Sequence, residues 1–369
     1  MTFQAKTKIS IFGTLNEFFS TIQLSSKDLI ITNEHLFTPN VKGDVPCHII
    51  YQESFGTGEP TDEMVDDMLK SIKGMLYGRV IAIGGGTVLD IAKLFVFGDN
   101  LVCDEIFEKG TTLPKKRELI AIPTTCGTGS EVTMISVVRF IKKNTKMGLA
   151  VPAIFADEAI LIPSLLMSQP YDVFASSSID ALVHAVESYV SPKATVFSRA
   201  MGVYAMKLII NGFKEMKNGG KRVLPPLNTM QQFLEGSTLA GIAFGNAGCG
   251  AVHALSYPVG ATYHVAHGKS NYMFFSAVFM EYKRKGADLI NLEDVLASIL
   301  ECSKEIVWDE LISIMDFMLD IITLSSLGAN ADDCKFMAAS VMKNQQRLLV
   351  NNPIQLTEEE LYEVYLKCL

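Results

Sequence analysis

Short apolar runs and amphipathic stripes alternate through the first 163 residues. Residues 8–12, 28–32, 48–50, 79–83 and 119–122 are rich in Ile, Leu and Val and too short for buried helices, so each reads as a strand. Between them the period changes. Met64, Met68, Ile72 and Met75 recur at helical spacing behind Glu59-Pro60-Thr61, which predicts a helix with Thr61 as its N-cap. A second helix is predicted after the glycine run, from about Val88. Strands alternating with helices predict a parallel sheet covered on both faces. After about Pro163 strand-like runs become scarce. Helical stripes span 180–189, 198–213, 230–243 and 251–257, and helices continue from Leu292 onward, the last opened by the capping-box pattern of Thr357 and Glu360. The expected fold is an α/β N-terminal domain with a parallel sheet over 1–163 and an all-α C-terminal domain over 164–369.

Length and charge narrow the classes. A chain of 369 residues suffices for about two domains. Its net charge of −8, with no offsetting basic block, argues against nucleic acid as the main partner. The seven cysteines are scattered and odd in number, with no CxxC pair, which points to reduced thiols in a cytoplasm. The N-terminus lacks the apolar core of a signal peptide, and no apolar run approaches twenty residues, so no membrane span is expected.

Two glycine-rich turns follow strands. The first is Gly84-Gly85-Gly86-Thr87 and the second is Pro123-Thr124-Thr125-Cys126-Gly127-Thr128-Gly129. Glycine lets backbone approach a ligand, and a helix N-terminus offers N–H groups to phosphate. Either turn alone reads equally as a tight turn. Together, at the ends of parallel strands, they favour a nucleotide site, although the first is not the GxGxxG fingerprint.

The candidate chemistry lies further on. Half of the six histidines, His253, His264 and His267, fall in the low-charge stretch 245–268. Upstream, His184 follows Asp180 by four residues, so on a helix the two share a face. Each pair also reads as a hydrogen-bonded core pair. Neutral imidazole in a dry pocket is a common transition-metal ligand, and Asp180, His184, His253 and His267 are the candidates to converge on one ion.

GGGTVLDIAK (84–93), PTTCGTGSEVT (123–133), SIDALVHAVESYVS (178–191), NAGCGAVHALSYPVG (246–260), HVAHG (264–268) and the C-terminal NNPIQLTEEELYEVY (351–365) resemble, in order, the motifs of the iron-dependent (group III) alcohol dehydrogenase family. Within it the likeness is greatest to the 4-hydroxybutyrate dehydrogenases. The resemblance implies the architecture shared with dehydroquinate synthase, with a cleft between a dinucleotide-binding domain and a helical domain. It implies a metal held by Asp180, His184, His253 and His267, usually Fe²⁺, with Zn²⁺ also suited to such ligands. It places pyrophosphate at Gly85, Gly86 and Thr87 with Asp90 close by, and the rest of the cofactor against Thr124, Thr125, Thr128 and Lys146.

The chain departs from the family twice. Asn33 stands where relatives often carry the Asp that holds the adenosine ribose, which weakens charge exclusion of NADP. Glu34 partly restores it, and NAD remains the expected cofactor. Tyr257 stands where many relatives have a proton-passing His; it reads as a hydroxyl relay or as an aromatic packed against the cofactor. His264 is a further relay candidate. The expected reaction is hydride transfer between NAD(H) and a short ω-hydroxy acid, 4-hydroxybutyrate or succinate semialdehyde as its aldehyde, with Lys269 as a candidate carboxylate anchor and a solvated surface lysine as its other reading. Dehydrogenation of uncharged alcohols or diols, a dehydroquinate-synthase-type lyase and a non-catalytic NAD-binding protein are the rival readings. A homodimer is implied, with strand 8–12 the candidate for pairing across chains.

Overall fold

The computed structural model describes residues 2–98, 100–143 and 145–369. Its strands are β1 (Lys8–Ile11), β2 (Asp28–Thr32), β3 (His48–Tyr51), β4 (Arg79–Gly84), β5 (Glu118–Pro123), β6 (Ile135–Phe140), β7 (Thr145–Ala150) and β8 (Glu158–Leu161). Six of them form a parallel sheet in the order β1-β8-β5-β4-β2-β3. The central strands are apolar without alternation because both faces are covered: Leu29, Ile30 and Ile31 of β2, and Val80 through Ile83 of β4, have no exposed surface. Strand order turns back between β2 and β4, so the carboxyl ends of these two strands, at Asn33 and Gly84, flank the switch point where open sheets bind ligands. The antiparallel hairpin β6–β7 lies outside this sheet. The sequence pattern did not announce this hairpin or the four-residue β8.

The helix Asp62–Ser71 begins where expected, with the Thr61 hydroxyl accepting from the Met64 N–H at 3.1 Å. Pro170 onward is helical, and its helices outrun the sequence expectation. Tyr171–Val190 starts nine residues before 180. Ser176, Ser177 and Ser178 weaken the helical pattern there, and their hydroxyls donate back to the carbonyls three residues earlier. Ala251–Tyr263 continues through Pro258. Proline inside a helix disturbs carbonyls of the preceding turn; here Leu255 O accepts from the Tyr365 hydroxyl at 2.7 Å. His267–Arg284 is a further helix that the apolar pattern did not announce.

The residues divide into two compact units, Ala5–Gln169 and, with the segment up to Gln4, Pro170–Leu369. None of the seven cysteines forms a disulfide among the described residues. No single helix among the described residues is long and apolar enough to cross a membrane.

Candidate active site

Three helices of the second unit carry the metal candidates. Asp180 and His184 lie one turn apart on Tyr171–Val190, His253 stands in the first turn of Ala251–Tyr263, and His267 opens His267–Arg284. The last helix comes close because Gly268 has no side chain: a Cβ there would lie 1.9 Å from the Ser176 carbonyl oxygen. The four side chains converge. Asp180 Oδ1 is 3.6 Å from His253 Nε2 and 3.8 Å from His267 Nε2, and Asp180 Oδ2 is 3.9 Å from His184 Nδ1. Asp180, His184 and His253 are buried, and His267 is half-buried.

Residues the sequence reading passed over complete this cluster. Glu187 is buried, and its Oε2 accepts from His253 Nδ1 at 2.6 Å while its Oε1 accepts from the Val252 N–H at 2.7 Å. With Nδ1 so engaged, Nε2 is the nitrogen left facing Asp180. The signal was in the helix: Glu187 stands three residues after His184 and seven after Asp180, on the same face. Cys249 places its sulfur within 4.8 Å of the His184 and His253 nitrogens. Asn271 is fully buried, and its Nδ2 lies 2.7 Å from Asp180 Oδ1, 3.2 Å from His253 Nε2 and 3.3 Å from His267 Nε2.

The electrostatics call for a cation. Asp180 and Glu187 are two buried carboxylates that pair with imidazoles, and among the described residues no lysine or arginine joins them. Burial pushes the Asp180 carboxyl up, yet His184, His267 and His253 together hold it well below the usual carboxylate range. Burial disfavours charge on His253, but Cys249, Asp180 and Glu187 outweigh it and raise that imidazole. Among the described residues Asn271 Oδ1 is buried and accepts no hydrogen bond, while its Nδ2 lies among Asp180, His253 and His267. One carboxylate and three imidazoles with donors this close suit a divalent transition metal.

Other site candidates separate. The Tyr257 ring lies 5.8 Å from the His267 ring. His264 is not joined to the cluster: it caps its helix in the left-handed conformation (φ 55°), is exposed, and makes no side-chain hydrogen bond among the described residues. Lys269 pairs with Asp172 at 3.2 Å, on an exposed face.

In the first unit the two glycine turns adjoin. Gly84 and Pro123 are register partners of β4 and β5, and the Thr124 N–H donates to Gly84 O at 3.0 Å. A Cβ on Gly86 would lie 2.8 Å from Thr128 Cγ2, and one on Gly85 would lie 3.4 Å from Thr125 Cγ2. The helix Gly86–Leu94 has Gly85 as its N-cap and no side-chain cap, so its opening N–H groups are left for another acceptor. Asp90 is spent on the second turn, accepting from Ser130 Oγ at 2.6 Å and the Val137 N–H at 2.9 Å. The Thr87 hydroxyl donates to Gly58 O, and Lys146 pairs with the adjacent Glu59. The Asn33 amide donates to Glu53 at 2.8 Å, and Glu53 also accepts the Glu34 N–H at 2.7 Å. A carboxylate thus stands at the end of β2 after all, supplied from behind β3.

A parallel-sheet unit with glycine turns after β4 and β5 is thus followed by a helical unit that holds a buried carboxylate–imidazole cluster, the two-part layout of the metal-dependent alcohol dehydrogenases and of dehydroquinate synthase alike. Residues 9–163 match the model described as iron-containing alcohol dehydrogenase, and residues 174–369 match the Fe-containing alcohol dehydrogenase family, C-terminal. The chain belongs to the iron-containing alcohol dehydrogenase family and is an oxidoreductase acting on CH–OH groups. It is 41% identical to the 4-hydroxybutyrate dehydrogenase of Clostridium kluyveri over 96% of each chain. It is 33% identical to long-chain-alcohol dehydrogenase 1 of Geobacillus thermodenitrificans, over 96% of this chain and 93% of the relative. The fold matches sulfoacetaldehyde reductase from Bifidobacterium kashiwanohense, solved with NAD⁺, with a TM-score of 0.85 and 20% identity, covering 100% of this chain and 98% of that one.

Proposed function

We propose that this enzyme transfers hydride between NAD(H) and a short ω-hydroxy acid, 4-hydroxybutyrate being oxidised to succinate semialdehyde or formed from it. The observation that carries the reading is that His184, His253 and His267 each bring a ring nitrogen within 3.9 Å of the Asp180 carboxylate. The likeness to a 4-hydroxybutyrate dehydrogenase over nearly the whole chain supports the substrate.

These four residues would hold Fe²⁺, which supplies Lewis-acid polarisation of the carbinol or carbonyl oxygen, and the nicotinamide carries the hydride. The chain's own contribution is positioning. Glu187 fixes the His253 tautomer, so that Nε2 presents a lone pair. Asn271 ties Asp180 to the same point. Gly85, Gly86 and Thr87 would bind pyrophosphate through N–H groups, with Thr124, Thr125, Thr128 and Lys146 along the rest of the cofactor. Asp90 holds the second turn in place, and Asn33 with Glu53 would receive the ribose. Tyr257, beside His267, would pack against the reacting groups. The same reading includes a homodimer: β1 is an edge strand with Ile9 and Ile11 exposed.

The test uses protein prepared without oxygen and loaded with Fe²⁺. NADH oxidation is followed with succinate semialdehyde and with butyraldehyde, before and after chelation. Faster, chelator-sensitive turnover of succinate semialdehyde supports the reading. Equal or faster turnover of butyraldehyde would move the enzyme to the uncharged-alcohol class of its Geobacillus relative.

A further inference from the structure

The ω-hydroxy acid reading calls for a cation or several N–H donors at the far end of the substrate, and Lys269, the first candidate, pairs with Asp172. We propose that Arg347 is the carboxylate anchor, the group that selects carboxylated over neutral substrates. This rests on the reading above and deepens it.

Arg347 lies in the short helix Gln346–Leu349, and its side chain is exposed. The guanidinium carbon lies 5.7 Å from the centre of the Tyr257 ring, and Nη2 reaches the Tyr257 hydroxyl at 3.5 Å, the long limit of a hydrogen bond. Tyr257 in turn lies 5.8 Å, ring to ring, from His267, the half-buried member of the donor cluster. One aromatic ring therefore separates a ligand imidazole from the guanidinium. These two steps put the guanidinium carbon at most about 11.5 Å from the centre of the His267 ring; a four-carbon ω-hydroxy acid, about 6 Å between its hydroxyl and carboxylate oxygens, bridges that span once a metal–oxygen bond at one end and a hydrogen bond to the guanidinium at the other are added. Arg347 makes no ion pair and no other side-chain hydrogen bond among the described residues, so its planar fork of donors remains to receive a carboxylate in bidentate fashion. The Tyr257 ring and hydroxyl border the fork without neutralising it. Tyr257 on this account spaces the anchor from the reacting carbon and need not pass protons.

The experiment compares the Fe²⁺-loaded, oxygen-free protein with its Arg347→Leu and Arg347→Lys forms. KM and kcat are measured for succinate semialdehyde and butyraldehyde, and 4-hydroxybutyrate binding to the NADH complex is followed by calorimetry. We expect Arg347→Leu to raise the KM for succinate semialdehyde and weaken 4-hydroxybutyrate binding by about 30- to 100-fold. Butyraldehyde kinetics should stay within about twofold, which also reports an intact fold, and Arg347→Lys should fall between. Unsubstituted enzyme that prefers succinate semialdehyde, with Arg347→Leu leaving its KM unchanged or slowing both aldehydes alike, overturns the anchor and spares the substrate reading. Unsubstituted enzyme with no preference overturns both.

Discussion

His253 Nδ1 and Glu187 Oε2 lie 2.6 Å apart, both buried, and this contact decides which imidazole nitrogen faces Asp180. Glu187→Gln keeps the volume and an acceptor but offers an N–H that can turn the imidazole to the other tautomer. Metal affinity should fall by about 10- to 100-fold with little change in unfolding. Equilibrium titration of the metal-free protein, with far-UV circular dichroism as the fold control, checks this.

Asp180 brings the negative charge that the three imidazoles face. Asp180→Asn should leave protein that folds but purifies with little metal and does not turn over. Elemental analysis against protein concentration measures the first effect. On the unsubstituted chain, adding Fe²⁺ at about 100 times its dissociation constant should stabilise the native state by roughly 2.7 kcal/mol, read as a rise in Tm.

Gly268→Ala tests the helix contact that brings His267 to the others. The added Cβ would lie 1.9 Å from the Ser176 backbone carbonyl, which cannot rotate away. A loss of about 1–3 kcal/mol or more is expected in urea unfolding, with metal binding weakened in the molecules that still fold.

The site was unevenly legible in the sequence. The i, i+4 spacing of Asp180 and His184 announced a shared helix face, and Glu187 on that face was equally readable. His264 and His267 are three residues apart in similar surroundings, and the left-handed turn at His264 separates the exposed one from the one beside Asp180. Cys249, Asn271 and Arg347 reach their neighbours through tertiary packing, for which one sequence carries no periodic signal. In the fold, β2 and β4 were plain because strands buried on both faces are unbroken apolar runs. β7, with mostly part-exposed residues in TKMGLA, had neither such a run nor clean alternation.

Lys93 offers a pH test in the first unit. Its buried ammonium donates to Ser130 Oγ, Thr133 Oγ1 and Ile135 O, and Asp90 is 3.8 Å away. Burial, outweighing Asp90 and Glu131, holds its pKa at about 8 against the ordinary 10.5. The unfolded chain therefore binds more protons between these values, so this group's contribution is fully present above pH 10.5 and is lost as pH falls through about 8. The stability advantage of the native chain over Lys93→Met should widen from pH 7 to pH 9.5, measured by urea unfolding at each pH.

With the adenosine ribose at Asn33 as proposed, Glu53, which accepts from Asn33 and the Glu34 N–H, would discriminate between nicotinamide cofactors. Glu53→Gln should raise kcat/KM for NADPH relative to NADH by about tenfold, equivalent to about 1.4 kcal/mol of relieved repulsion toward a 2′-phosphate. Initial rates with both cofactors at fixed aldehyde check it.

Asp180 and His267 are 87 residues apart along the chain, and His253 belongs to a third helix between them. On the proposed donor set, no one helix supplies all four ligands, so they meet only after the three helices have docked. Loading would then be a late event, governed by access to a finished scaffold, and the ion would act as a removable cross-link between helices. A chelator should empty the site and leave a folded chain that can be refilled with a different metal.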